Sequence, residues 1–132
     1  MNTSSLLNAL QAIEQFQQYF KDNEKAGAYI ALLDVEGNSR ILQNIVAQGR
    51  RQEKAVYVFS VDETGEKVSH VNYVSPSFKA KGADARTWAS SVTDIIGGRS
   101  GGKEDSAQGV GTNGSRVQEA LDKAEKYLLG LV

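Results

Sequence analysis

Residues 97–113 read GGRSGGKEDSAQGVGTN and hold six of the chain's 13 glycines. Glycine has no Cβ, so backbone amides in such a segment can approach an anion or a partner surface closely. The segment is therefore predicted to be a glycine-rich loop and the binding site of the chain.

Three familiar motifs can be drawn through this loop, and the context of each argues against it. Residues 97–103 read G-x-x-x-x-G-K, but Glu104 stands where a phosphate-binding loop needs Ser or Thr to hold magnesium. Residues 98–102 fit the G-x-S-x-G nucleophile elbow, which follows a strand, whereas a helix is predicted before them. Residues 109–114 read G-x-G-x-x-G, and no apolar strand is predicted to enter them. The loop is therefore not expected to hold a nucleotide or a nucleophile in any of these three ways.

The composition is that of a single globular domain. The chain has 132 residues, a formal net charge of −1 and no cysteine, which excludes disulfides and thiolate zinc sites and is consistent with a reducing compartment. No apolar run approaches the ~20 residues of a membrane span, and the polar opening of residues 1–5 lacks the features of a signal peptide. We therefore expect a cytoplasmic chain with no membrane contact. Nucleic-acid binding would require a local basic face, because the net charge provides no global attraction.

Hydrophobic periodicity predicts an α/β unit behind a leading helix. The apolar stripe of that helix consists of Leu6, Leu10, Ile13, Phe16 and Phe20. Continuous apolar runs at 28–33 and 55–61 predict two buried strands, with a helix between them that begins after Asn38 or Ser39. The more polar run at 67–74 predicts an antiparallel partner that forms a hairpin with the second strand.

Two further helices are predicted on either side of the glycine-rich loop. The first covers residues 85–96 with Trp88 as a core anchor. The second covers residues 117–131, behind a capping box formed by Ser115 and Gln118.

The predicted fold class is therefore α/β, with a leading helix followed by a βαββαα globular unit that contains a small mixed sheet and the glycine-rich loop. Residues 1–26 are predicted to form the N-terminal helix and residues 27–132 the globular part. No linker is long enough to separate them, so both belong to one compact domain.

The glycine-rich loop also resembles a known family. The run Gly-Gly-x-x-Gly-Gly-Lys at 97–103, followed after three residues by Ala107 and Gln108, is similar to the signature of the C-terminal domain of alanyl-tRNA synthetases, which belongs to the DHH-associated class. The helices predicted around 83–96 and 115–128 sit where that family places its flanking helices.

This resemblance implies an accessory domain that carries neither the alanylation site nor the editing site. Such a domain is expected to bind the elbow of alanine-specific tRNA, or other single-stranded nucleic acid, and to couple aminoacylation with editing. Its other expected partners are the rest of the synthetase chain and a second copy, paired through the N-terminal helix. Two departures stand out: Arg99 and Ser100 interrupt the glycine run, and Lys103 stands where Arg is frequent, which keeps the charge and loses bidentate geometry.

The residues themselves also indicate a polyanion site. Five cations fall between Phe78 and Lys103, against two acids, Asp84 and Asp94, in the same interval. Neutral side chains on the loop could add hydrogen bonds to phosphates or base edges. The predicted nucleic-acid-binding residues are Lys79, Lys81, Arg86, Gly98, Arg99, Gly101, Gly102, Lys103, Ser106 and Gln108.

Other functions have less support. His70 is the only histidine and lies in a strand pattern, so it is expected to be packed rather than to act as a base. Glu104 and Asp105 are adjacent carboxylates of the kind that is usually solvated, although magnesium remains open for them; no metal site and no cofactor are predicted. Two alternatives to tRNA binding also remain open: a protein-interaction or dimerisation module that has lost strong tRNA binding or that binds DNA, and a small stand-alone enzyme.

Overall fold

A computed structural model describes residues 3–132, and it confirms a mixed α/β domain with a leading helix. In chain order the elements are α1 (Thr3–Asp22), β1 (Ala28–Leu32), α2 (Ser39–Arg51), β2 (Ala55–Val61), β3 (Val68–Tyr73), α3 (Pro76–Ala80), α4 (Ala85–Ile96), β4 (Arg99–Gly102), β5 (Ser106–Gly111), a 3-10 turn (Gly114–Arg116) and α5 (Val117–Leu129). Within these described residues, no helix combines the length and the apolar character needed to cross a membrane.

The five strands form one sheet in the order β1-β2-β3-β5-β4. β1 and β2 are parallel and are joined through α2, whereas every other neighbouring pair is antiparallel. This confirms the predicted small mixed sheet and the predicted hairpin of the second and third strands. Two strands were not predicted, because β4 and β5 arise from the segment that was predicted to be a glycine-rich loop.

One face of the sheet is covered by α4 and α5. Trp88 lies at the centre of this core with no solvent exposure, edge-on to Tyr57 at 4.8 Å between ring centroids. Its indole Nε1 donates a hydrogen bond of 2.9 Å to the carbonyl of Ala124 on α5. The indole therefore fixes α4 to α5, which confirms Trp88 as the core anchor.

The other face is covered by α2 and by the C-terminal half of α1. Phe16 is fully buried and packs edge-on against Tyr29 of β1 at 5.3 Å between ring centroids. The predicted apolar stripe of α1 is therefore divided, because its first part remains in solvent: Leu6 is 51% exposed and Leu10 is 48% exposed. The helix ends at Asp22 rather than at the predicted residue 26, and residues 1–2 of the predicted range lie outside the described part of the chain.

The helix caps show which local signals were correct. Asn38 caps α2 as predicted, because its side chain accepts a hydrogen bond of 3.0 Å from the amide of Arg40. The predicted capping box of α5 is wrong: the hydroxyl of Ser115 donates to the side chain of Asn113 at 2.7 Å, and the 3-10 turn leads into the helix instead. The short helix α3 was not predicted, and Pro76 is its first residue.

Candidate nucleic-acid interface

The glycine-rich segment forms a β-hairpin rather than a loop. β4 and β5 pair with Arg99 opposite Val110 and Gly101 opposite Gln108. At Gly98 and Gly102 the backbone has positive φ angles of 77° and 152°. A Cβ at Gly98 would lie 1.9 Å from the carbonyl oxygen of Val110, and one at Gly102 would lie 2.4 Å from that of Ser106. These two glycines are therefore explained by the close pairing of the hairpin strands.

Gly101 has no such structural explanation. Its φ lies outside the positive region, and a Cβ placed on it would meet no heavy atom within 4 Å. A Cβ fits at this strand position without a clash, so neither the backbone conformation nor close contact requires glycine here. The bare backbone of Gly101 instead leaves room for a ligand to approach the sheet closely.

A groove separates this hairpin from α2. One wall consists of Gln43, Ala47 and Arg50 of α2, and the other of Gly101, Ser106 and Gln108 of the hairpin. Gln43 Nε2 donates a hydrogen bond of 2.8 Å to Gln108 Oε1 and bridges the two walls. The bridge separates two adjoining cavities of about 620 and 720 Å³, of which Gly101 lines both. We call this feature the α2–hairpin groove.

Two exposed cations lie at opposite ends of the hairpin wall. Arg99 shares the groove-facing side of the sheet with Gly101 and Gln108, because side chains alternate along a strand. Lys103 lies in the turn between β4 and β5 and lines the other cavity. Within residues 3–132, neither side chain forms an ion pair with an acidic residue. Both charges are therefore available to a ligand.

The predicted cations of α3 and α4 are largely neutralised. Lys79 Nζ lies 2.7 Å from Glu104, and this hydrogen bond raises the pKa of the ammonium group. Arg86 lies 3.1 Å from Asp84, and this contact lowers the pKa of that carboxyl. Lys81 lies 5.3 Å over the ring of Phe78, away from the groove lining. The structure therefore pairs Lys79 and Arg86 with acidic residues, and none of these three residues lines the groove.

Arg50 was missed as a candidate site residue. It lies in the last turn of α2, where a cation complements the C-terminal dipole of the helix. Its guanidinium also lies 4.6 Å over the ring of Tyr73 and 3.2 Å from Asp105. The helical spacing of Gln43, Ala47 and Arg50 is the signal that could have identified this wall, because i, i+4 and i+7 share one helix face.

The residues considered for catalysis or metal binding, Glu104, Asp105 and His70, are all engaged in contacts within the fold. Glu104 pairs with Lys79 and Asp105 with Arg50, so the two carboxylates face different cations. The described residues contain no cluster of three or more acidic or histidine ligands. His70 is fully buried, its Nδ1 is 2.7 Å from the hydroxyl of Tyr57, and burial lowers its pKa to about 4.

Comparisons with known proteins agree with this fold and with the resemblance of the hairpin. Residues 24–130 match the DHHA1 domain family. The chain is 30% identical over 132 residues to alanine–tRNA ligase of Schizosaccharomyces pombe and 32% identical over 119 residues to the cytoplasmic alanine–tRNA ligase of Bombyx mori. These alignments cover 94% and 89% of this chain, and 14% and 12% of the respective relatives. The chain therefore corresponds to a small part of the length of those enzymes.

Two solved structures share the fold. The C-Ala domain of alanyl-tRNA synthetase from Aquifex aeolicus superposes with a TM-score of 0.67 at 23% identity, covering 79% of this chain and 92% of that domain. RecJ from Thermus thermophilus superposes with a TM-score of 0.53 at 16% identity, covering 90% of this chain and 17% of RecJ. Taken with the sequence match, the α2–hairpin groove lies in a chain that belongs to the DHHA1 domain family.

Proposed function

We propose that this chain is a non-catalytic accessory domain of an alanine–tRNA ligase, and that its α2–hairpin groove binds the phosphate backbone of tRNA. The observation that carries the proposal is Gly101, a bare strand position that the fold does not require, between the exposed cations Arg99 and Lys103. Backbone amides and flanking cations at a glycine strand suit phosphate oxygens, which offer negative charge and hydrogen-bond acceptors. The similarity to alanine–tRNA ligases favours alanine-specific tRNA as the ligand.

The charge balance around the groove indicates weak binding. Three cations that could have faced a phosphate chain are already paired with Asp84, Glu104 and Asp105. Arg99 and Lys103 then remain as the unpaired cations of the hairpin wall. For a duplex, each phosphate that a cation neutralises contributes roughly −0.9 to the slope of log K against log salt concentration. We expect micromolar or poorer affinity, with a salt slope of about −2.

A titration with three ligands tests this function. Fluorescence anisotropy would follow alanine-specific tRNA, a noncognate tRNA and single-stranded DNA of equal charge against the 132-residue chain. We expect the cognate tRNA to bind most tightly and Gly101→Val to weaken that binding while leaving the far-ultraviolet circular dichroism unchanged. Equal affinities for all three ligands, unaltered by Gly101→Val, would remove the groove from consideration.

A second candidate function is protein interaction through α1. The first half of this helix exposes Leu6, Leu7 and Leu10 at 51%, 53% and 48% of their areas. In the proposed parent enzyme this patch would contact the rest of the synthetase chain or a second copy. The proposed role in coupling aminoacylation with editing would then need both surfaces, the groove for tRNA and α1 for the enzyme. The proposed compartment is the cytoplasm, as the name of the Bombyx mori relative states for that protein.

A further inference from the structure

One cavity of the α2–hairpin groove contains a cation beside an acid that neutralises it. Arg50 and Lys103 line this cavity of about 620 Å³, and Asp105 lines it as well. Within residues 3–132, Arg50 Nη1 lies 3.2 Å from Asp105 Oδ2, whereas Lys103 forms no ion pair. A ligand that enters this cavity therefore meets one available cation and one that is already paired.

The contact between Arg50 and Asp105 is open to exchange. The two side chains are 49% and 37% exposed, and a single hydrogen bond from Nη1 to Oδ2 joins them. Exposed ion pairs of this kind contribute little to stability, because water and salt screen the charges. A guanidinium carries several N–H donors in a planar fork, and one hydrogen bond leaves most of them unused. A phosphate group can therefore compete with Asp105 for Arg50.

Tyr73 supports Arg50 at the groove independently of Asp105. The guanidinium carbon of Arg50 lies 4.6 Å from the centroid of the Tyr73 ring, and that ring belongs to the buried core between the sheet and α2. The face of an aromatic ring attracts a guanidinium without using any of its N–H donors. We therefore expect Arg50 to remain at the groove wall when the charge of Asp105 is removed.

The position of Asp105 is set by its backbone rather than by the ion pair. The carbonyl of Asp105 accepts a hydrogen bond of 2.8 Å from the amide of Val74 at the end of β3. Across the turn, the amide of Lys103 donates a hydrogen bond of 2.7 Å to the carbonyl of Ser106. The turn is thus held by main-chain bonds, and Asp105→Asn should remove the charge without changing the shape of the turn.

The neighbouring acid, Glu104, forms the corresponding ion pair outside the groove. Its carboxylate lies 2.7 Å from Nζ of Lys79, and these side chains are 60% and 47% exposed. Neither residue lines the two cavities of the groove. The same turn therefore carries two adjacent carboxylates, and they differ in whether the paired cation faces the groove.

We propose that Arg50 is a third phosphate-binding residue of the α2–hairpin groove, and that Asp105 competes with the tRNA backbone for it. This inference rests on the proposed function of the groove. In the free chain the carboxylate neutralises Arg50 and repels a phosphate that enters the same cavity. A phosphate can accept two parallel hydrogen bonds from a guanidinium, whereas Asp105 accepts one. The turn of the hairpin therefore limits the affinity of the groove for tRNA.

Asp105→Asn tests the competition, and Glu104→Gln is its matched control, because each variant removes one negative charge from the same turn. Anisotropy titrations with alanine-specific tRNA would compare both variants with the parent chain over about 50 to 200 mM salt. We expect Asp105→Asn to tighten binding at least roughly threefold at the lowest salt and to steepen the salt slope by about 0.9, since one more phosphate is neutralised. Glu104→Gln should change the affinity by less than about twofold and leave the slope unchanged.

The double variant Arg50→Ala with Asp105→Asn identifies the cation that is released. Its net charge equals that of the parent chain, so the general electrostatic attraction is matched. We expect the double variant to lose the gain of Asp105→Asn in both the affinity and the salt slope. Thermal unfolding of each variant checks that a change in binding does not reflect an unfolded domain.

Three results would overturn the inference. Equal gains for Asp105→Asn and Glu104→Gln would mean that the charge of the turn acts only at a distance. A gain that persists in the double variant would assign it to a cation other than Arg50. Weaker binding by Asp105→Asn would show that the acid orients Arg50 for the ligand. All three leave the proposed function in place, whereas a parent chain that binds no tRNA would overturn both.

Discussion

At the scale of single residues, the buried side chain of His70 explains why residue 109 is a glycine. They lie directly opposite on β3 and β5, and a Cβ at Gly109 would approach the imidazole ring to 2.8 Å. The ring is fully buried, and its Nε2 has no hydrogen-bond partner among the described residues. A buried imidazole in this setting resists protonation, because the added charge would be poorly solvated.

This burial predicts a dependence of stability on pH. The pKa of His70 is lowered to about 4 in the fold, against 6.5 for the ordinary group. The contribution is therefore fully present above about pH 6.5 and is lost as pH falls toward 4, by an amount on the order of 3 kcal/mol. Denaturant unfolding at pH 7, 6 and 5 measures it, with His70→Gln as the comparison. We expect the slope between pH 6.5 and 5 to flatten in that variant, and an unchanged slope would refute the assignment.

Gly101 carries the second residue-scale prediction. Gly101→Ala and Gly98→Ala add the same methyl group within β4 and just before β4, respectively. The first meets open space, and the second would collide with the carbonyl of Val110 at a positive φ. Thermal unfolding should therefore show a change within about 0.5 kcal/mol for Gly101→Ala and a loss of more than about 1 kcal/mol for Gly98→Ala. Equal losses at the two positions would show that Gly101 is also structural.

At the scale of elements, α1 lies in two different environments along its length. Its C-terminal half belongs to the core through Phe16 and Phe20, whereas Leu6 and Leu10 remain exposed. The sequence predicted one continuous stripe and a helix that packs on the sheet or on a second copy. Periodicity could not distinguish the halves, because apolar residues recur at helical spacing in both.

Substitutions in the two halves should separate these contributions. Phe16→Ser is expected to lower the free energy of unfolding by roughly 3–5 kcal/mol, since it empties a fully buried aromatic site. Leu6→Ser should change it by less than about 0.5 kcal/mol. Urea unfolding measures both. A large loss for Leu6→Ser would show that the first half of α1 is also part of the core.

The hairpin of β4 and β5 shows where element prediction failed. Helices and apolar strands were predicted from their periodicity, and Asn38, Trp88 and the hairpin of β2 and β3 were correct. Residues 99–102 contain no β-branched or aromatic side chain, so strand propensity gave no signal. They pair as a strand because glycine allows the close backbone approach at Gly98 and Gly102, which is a tertiary effect.

At the scale of the whole molecule, the candidate site is assembled from distant segments. The wall of α2 comes from residues 43–50 and the wall of the hairpin from residues 99–108. Sequence analysis identified residues of the hairpin wall as candidate binding residues and did not identify those of the α2 wall. A count of cations along the sequence also overlooks their acidic partners. Lys79 pairs with Glu104, which is 25 positions away, and Arg50 pairs with Asp105, which is 55 positions away. Such pairings depend on the fold and cannot be obtained from local charge counts.

The most direct test of the account is tRNA binding by the double variant Arg99→Ala with Lys103→Ala, measured by anisotropy from 50 to 200 mM salt. The matched control is Lys123→Ala with Lys126→Ala, which removes the same charge from exposed positions on α5. We expect the hairpin variant to lose most of the binding and to reduce the salt slope by about 2, with thermal stability nearly unchanged. Equal affinity and equal slope in the hairpin variant, the control and the parent chain would contradict the account.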